Sequence, residues 1–248
     1  MNRRQVFGAG LLAALASPAY ADDGFNPAPD VVVACDPALL GCLARMGRRF
    51  RTQTGAPVRL FTAPDFVIRA QVAHQAHADL LVMRTPALQQ AGQEGLLQGG
   101  ARRLGWRNAL VLARRGGAPP AQALPDLLAA LPAGARIAAT DATSAASIDG
   151  PAVLLGLGVA PERIAGAAEN ADVIHLIKGG GAALGLLYRS EALAEPALGI
   201  AAVVGPAADY AAALSRNNAS RYAGRFLDFL QSGEAAAQAR AGGLETSA

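Results

Sequence analysis

Lysine is almost missing from this chain of 248 residues: Lys178 is the only one, and arginine supplies the rest of the positive charge. The 22 basic side chains stand against 19 acids and form no basic tract. The concentrated positive stripe that nucleic-acid binding requires is therefore absent. Cysteine is equally sparse, with two residues, Cys35 and Cys42. On one helix they would lie about 10 Å apart along the axis at 1.5 Å per residue, whereas a disulfide needs Cα atoms within roughly 7 Å. A bridge would require Cys35 to precede the helix and bend back; a bridge and two buried thiols both stay open. Of the three histidines, His74 and His77 form an H-x-x-H around an expected helix end, which reads as a solvated turn, and His175 stands alone. There is no G-x-S-x-G elbow, no HExxH and no Ser-His-Asp order, so a hydrolase on an α/β scaffold finds no support. Gly179-Gly180-Gly181 is not followed by a helix carrying Lys-Ser/Thr, and reads as a turn rather than a phosphate loop. No tandem repeat is present. Beyond the N-terminus no apolar run is long enough to span a bilayer.

What is present begins with an address. Arg3-Arg4 precede the small apolar run Gly8 to Ala16, and Ala19-Tyr20-Ala21 gives an A-x-A cleavage pattern before Asp22-Asp23. A basic start, an apolar middle and small residues at the cut define a signal peptide. The paired arginines resemble the twin-arginine export signal, although Asn2 replaces its usual serine, so Sec export stays open. Residues 1–21 are thus expected to be removed on export to the periplasm. Losing Arg3 and Arg4 leaves 20 basic residues against 19 acids, a net charge near +1.

Strand and helix signals alternate along the rest. Val31 to Ala34 is a short apolar strand. Asp36-Pro37 then opens a helix, an N-cap followed by a proline suited to the first helical position, with Leu39, Leu43, Met46 and Phe50 at helical spacing. Strands are expected at 58–61, 79–83, 109–113, 136–139, 184–188 and 200–204. Further helices are expected from Pro64-Asp65 and Thr85-Pro86, at 125–131, 151–157 and 171–178, and in two terminal segments ending at Gly242-Gly243. Such alternation implies a mostly parallel sheet flanked by helices.

Several segments in this order resemble the molybdate-type solute-binding proteins of ABC importers. They are the opening 31–51 with its Thr54-Gly55-Ala56-Pro57-Val58 step, Ala78-Asp79 before a buried strand, Asn108 to Leu112, Arg136-Ile137-Ala138 with Asp141, Glu169-Asn170, Ala183 to Arg189, and Phe226 to Leu230. The resemblance implies the two-lobed periplasmic-binding-protein fold with a ligand cleft between lobes. It places lobe one at 22–104 plus 203–248, lobe two at 105–202, and the crossings near 104–109 and 198–203. It also implies a monomeric, non-enzymatic binding protein without a cofactor, serving an ABC permease.

An oxyanion site of this family uses hydroxyls and backbone N–H groups at helix starts, where the dipole favours negative charge. The corresponding positions are altered here. The family's first serine falls at Cys35-Asp36 and its second at Asp65-Phe66. The third region aligns with Ala142-Thr143-Ser144, the fourth with Ala171-Asp172, and Tyr188 matches the family's tyrosine. The candidate ligand-binding residues are therefore Asp36, Asp65, Thr143, Ser144, Asp172 and Tyr188. By resemblance the ligand is an oxyanion such as molybdate or tungstate. By site chemistry, three acids at one mouth suit a metal or organic cation. Asp36 and Asp65 are also ordinary helix caps, a role that itself opposes an anion. The altered site leaves room for an accessory protein of a periplasmic enzyme in place of a transport component.

Overall fold

The computed structural model describes residues 30–116, 123–141 and 149–247. The expected signal peptide, and Thr143 and Ser144, lie outside these residues. The element order is β1 (Val31–Cys35), a 3₁₀ turn (Pro37–Leu39), α1 (Leu40–Thr54), β2 (Val58–Thr62), α2 (Asp65–Ala73), β3 (Leu80–Arg84), α3 (Thr85–Gln93) and β4 (Leu97–Arg115). It continues with α4 (Leu124–Ala129), β5 (Ile137–Thr140), α5 (Gly150–Gly156), a second 3₁₀ turn (Pro161–Arg163), β6 (Ile164–Ala167), α6 (Asn170–Lys178), β7 (Leu184–Tyr188) and α7 (Arg189–Ala194). The chain closes with β8 (Leu198–Ser215), α8 (Ala223–Leu230), α9 (Gly233–Ala241) and β9 (Glu245–Thr246).

The strands run in the order β2-β1-β3-β8-β4-β7-β5-β6, with β9 paired to β4. Pairings within β2-β1-β3 and within β7-β5-β6 are parallel, as strand-helix-strand connections require. The two long strands β4 and β8 are antiparallel to their neighbours and to each other, and join the parallel groups into one mixed sheet. Leu80–Arg84 of β3 pairs with 210–214 of β8, while β7 pairs with Leu110–Ala113 of β4. The stretch 198–203, expected as a crossing, is paired with 111–115 inside the second group. The register between β4 and β8 slips repeatedly, once between Arg103 and Arg107 and again between Asn108 and Leu110. Gly105 (φ +67°) and Gly205 (φ +68°) adopt left-handed backbone within these passages, a conformation open to glycine without steric cost. Bulges of this kind bend a strand locally.

Both faces of each group are covered. In the first lobe, α1, α8 and α9 pack on one side around Phe50, Phe226, Phe229, Trp106 and Tyr210. There the Phe50 and Phe226 rings meet edge to face, with centroids 4.9 Å apart. On the opposite side α2 and α3 bury Ile68, Val72 and Leu88. In the second lobe, α4 and α5 cover Leu112, Ile137 and Leu186, and α6 and α7 cover Val111, Ala138 and Leu187. Helix α6 lies so close to the sheet that a Cβ on Gly185 would fall 2.6 Å from both Ile177 Cδ1 and Val173 Cγ1. No helix among the described residues is long and apolar enough to cross a membrane.

The Ala78-Asp79 motif has a structural task. Asp79 is fully buried; its Oδ2 accepts the Val32 N–H at 2.8 Å and its Oδ1 accepts those of Ala219 and Ser220 at 2.8 and 2.9 Å. The carboxylate thereby ties β1 to the loop that leads into α8. Cys35 and Cys42 are both free and buried. Burial, reinforced by Asp36, raises the Cys35 thiol far above its usual range, and burial pushes Cys42 up to about 11. Both thiols are held protonated and pack as small apolar groups.

Candidate functional site

The carboxyl ends of β1 and β3 and the start of α2 meet at one point. Asp36 follows β1 and caps the first 3₁₀ turn: its Oδ1 accepts the Ala38 N–H at 2.9 Å, with Pro37 in the first position. Asp65 is the first residue of α2, after Pro64. Both are buried. Between them lies Arg84, the last residue of β3. Its Nε donates to Asp65 Oδ2 at 2.7 Å and stands 3.8 Å from Asp36 Oδ2. The Arg84 side chain is 29 % exposed.

From the second lobe comes the end of β7. Tyr188 is buried there, and its backbone N–H is accepted by Glu191 Oε2 at 3.1 Å. Glu191 Oε1 in turn accepts the Asn170 side-chain amide at 2.6 Å, which ties α7 to the start of α6. Burial raises the Tyr188 hydroxyl above its usual range, with Asp36 adding to the rise and Arg84 opposing it. Burial is the largest influence on these groups. It raises Asp36 to about 7, with Asp65 adding repulsion and the Ala38 N–H and Arg84 opposing. It also raises Asp65 against the pull of Arg84, and Glu191 against its Asn170 and Tyr188 hydrogen bonds. For Arg84 burial disfavours the charge, but Asp65, Tyr188 and Asp36 outweigh it and the net shift is upward. The guanidinium is thus securely charged, while Asp36 sits near its titration point at neutral pH.

Arg84 and Tyr188 also line a cavity of about 700 Å³ between the lobes. Thr85 and Arg103 bound it from the first lobe, Leu110 from the second, and Asp209 from the passage between them. Arg103 makes no ion pair among the described residues, whereas Asp209 faces Arg107 at 3.5 Å. Directly beside the cavity the lobes are fastened. Ser190 Oγ, at the start of α7, donates to the Ala38 carbonyl at 2.9 Å and accepts from Asn108 Nδ2 at 2.8 Å; Asn108 Oδ1 accepts the Ser190 N–H at 3.2 Å. Ala38 itself packs into the second lobe's apolar cluster.

The structure therefore brings together Asp36, Asp65 and Tyr188 of the residues expected from sequence. Asp172 stands apart. It is exposed, and as the third residue of α6 it turns back on its own helix, its Oδ2 accepting the Glu169 N–H at 3.1 Å in a reciprocal capping box. His175 is exposed on the same helix, and His74 is exposed at the end of α2. No group of three His, Cys, Asp or Glu side chains among the described residues is arranged to hold a metal ion. Sequence reading missed Arg84, Asn170 and Glu191. Arg84 carried a usable signal: it is a lone cation at the end of a fully apolar strand, immediately before a Thr-Pro helix start, which is where open α/β sheets place ligand contacts.

The profile of the bacterial extracellular solute-binding protein family matches residues 31–245. The chain belongs to that family. Solved structures agree on the fold. The periplasmic molybdate-binding protein of Azotobacter vinelandii superposes with a TM-score of 0.71 at 19 % identity, covering 88 % of this chain and 100 % of that one. PEB3, a Campylobacter jejuni protein, was solved with bound L-phospholactate and superposes at 0.66 with 17 % identity, covering 88 % and 100 %. Iron-bound HitA from Pseudomonas aeruginosa gives 0.61 at 16 % identity, covering 87 % and 84 %. The solute-binding fold is shared while the bound species named for these structures differ in charge and size. A comparison with curated proteins found no match.

Proposed function

We propose that this protein is the periplasmic solute-binding component of an ABC importer, and that its ligand is a small organic anion held between the lobes by Arg84, Arg103 and Tyr188. The observation that carries this reading is the seat of Arg84. Two buried carboxylates that sequence reading assigned to an external cation already have one, built into β3. Asp36 and Asp65 act as anchors that fix the guanidinium at the cavity wall. A guanidinium so placed recognises carboxylate or phosphate oxygens in a planar fork. The cavity, at about 700 Å³, is far larger than a tetrahedral oxyanion needs, and Leu110 offers an apolar wall to a carbon skeleton. The lobes comprise 30–103 with 210–247 and 110–204, and 104–109 and 205–209 pass between them. The exported chain starts near Asp22 and acts as a monomer that docks on a permease.

A thermal-shift screen tests the reading, using molybdate, tungstate, sulfate, small carboxylates, phosphocarboxylates, divalent metals and organic amines. A ligand at a hundred times its Kd stabilises the fold by about 2.7 kcal/mol, which for a chain of this size raises Tm by roughly 5–10 °C. Carboxylates or phosphocarboxylates should give that shift, and Arg84→Ala should abolish it while Arg84→Lys retains part. A shift confined to metals or amines, or one that survives Arg84→Ala, would overturn the assignment.

A further inference from the structure

The second lobe carries another cavity, at the end of the sheet opposite the ligand cleft. Arg114 and Arg115 at the end of β4, Arg136 before β5 and Gly180-Gly181 after α6 line an open concavity of about 420 Å³. The cleft lies at the carboxyl ends of β5 and β7, whereas this cavity lies at their amino ends, so the two sites are separated by the length of the sheet.

Its charge is unbalanced. No acidic side chain lines it, and none of its three arginines forms an ion pair among the described residues. A fourth arginine supports the wall from behind: Arg163 Nε donates to the Ala135 carbonyl at 3.0 Å, and Ala135 lines the cavity. Arg163 Nη2 is buried without a hydrogen-bond partner. The nearby Lys178 is already matched by Glu195 at 3.1 Å, so charge balance is achieved one turn away and not here. Guanidinium groups gathered around one concavity repel each other, and the low-dielectric wall focuses their field outward. The turn adds a neutral donor. Gly180 is left-handed (φ +78°), and the Gly181 N–H donates to nothing among the described residues. Forked donors together with an open backbone N–H suit oxygens carried on tetrahedral phosphorus.

We propose that this pole of the second lobe binds clustered phosphate groups, either as a free diphosphate or as the headgroups of an anionic lipid surface. Three arginines without counter-ions among the described residues, on a face remote from the cleft, leave the cleft free to load and release its own ligand while the pole is occupied.

The test uses the purified protein at low salt with two probes. Inorganic pyrophosphate is titrated by calorimetry. Co-sedimentation is measured with phosphatidylcholine vesicles, with and without phosphatidylglycerol. The variants are Arg115→Gln with Arg136→Gln, and separately Arg114→Lys, each checked for an unchanged Tm. Binding of either probe by the parent, weakened about tenfold or more in the double variant and falling with added salt, supports the site. Binding of pyrophosphate alone assigns a soluble ligand, and binding of the anionic vesicles alone assigns a membrane surface. No binding of either probe, or equal binding by parent and double variant, overturns the proposal. The cleft is read independently through its own ligand screen, which the pole variants should leave unchanged.

Discussion

Replacing Asp36 by Asn should change how stability depends on pH. The carboxyl group is fully buried, and its pKa is lifted from 3.8 to about 7. A group raised in the folded state keeps its proton there after the unfolded chain has lost it. Its contribution to stability is complete below about pH 4 and is lost as pH rises through 7. At about 1.36 kcal/mol per unit, the loss for the parent is on the order of 4 kcal/mol over that window. The amide introduced by Asp36→Asn carries no proton equilibrium, yet its oxygen can still accept the Ala38 N–H, so the cap survives. Asp65 and Glu191 are shifted in the same direction but are common to both proteins and cancel in the difference. The stability of D36N relative to the parent should therefore rise by roughly 2–4 kcal/mol between pH 4.5 and pH 8. Urea denaturation at the two pH values, with matched m-values, measures this directly. Parallel profiles, or a relative loss for D36N at high pH, would mean that Asp36 stays ionised against Arg84 throughout, and the burial argument would fail.

Three further substitutions probe the scaffold. Asp79→Ala removes the acceptor from three backbone N–H groups, of which that of Ser220 is buried, and should cost about 1–3 kcal/mol, read as a drop in the urea midpoint; a loss under about 0.5 kcal/mol would show that water replaces the carboxylate. Gly185→Ala places a methyl 2.6 Å from Ile177 and Val173 and should cost about 1–3 kcal/mol by overpacking, with a neutral result implying that α6 shifts freely. Ser190→Ala removes the bond from the second lobe to the Ala38 carbonyl and the Asn108 contact to its hydroxyl. It should favour lobe opening and weaken cleft ligands about tenfold through faster release. Trp106, the only tryptophan, is buried beside the β4 bend and should report that opening by fluorescence; unchanged ligand dissociation in S190A would exclude a role for this contact in closure.

Much of the architecture could be read from the chain because burial follows residue pattern. The runs 31–34, 79–83 and 184–188 are apolar enough to announce strands buried on both faces, and they correspond to β1, β3 and β7. The long strands β4 and β8 were foreseen only in their apolar parts, 109–113 and 200–204. The remainder, such as Gln98 to Arg103, is exposed and polar, and is held in the sheet by backbone pairing that side-chain pattern does not encode. β6 and α7, of 4 and 6 residues, were not read from the sequence. At the site, Asp36 and Asp65 were visible as residues displacing expected hydroxyls. Their partner was not, because Arg84 is brought to them by the pairing of β1 with β3, a contact between segments nearly fifty residues apart. Asp172 was misplaced for a local reason: a carboxylate at the third position of a helix satisfies its own N-terminus before it reaches any ligand.

On the reading proposed above, the pairing of β1 with β3 also accounts for a site that holds two acids and still takes an anion. Exchanging a hydroxyl for a carboxylate at a helix start removes a donor and adds a negative charge, and either effect alone would expel an anion. Arg84 reverses both at once. It contributes donors in place of the lost hydroxyls, and its charge is stabilised by the acids that displaced them. The three side chains are consequently one unit. Removing Arg84 alone would leave Asp36 and Asp65 buried together with their counter-ion gone, and removing the acids alone would leave the guanidinium unanchored at the cavity wall. A triple variant that combines Asp36→Ser, Asp65→Ser and Arg84→Gln takes away all three charges together. It should fold better than Arg84→Ala alone, since it strands no buried charge. It would return the helix starts to hydroxyl donors of the kind that receive a tetrahedral oxyanion. Gain of molybdate binding by that triple variant, measured by calorimetry and absent from each single change, is the outcome that a coupled unit requires.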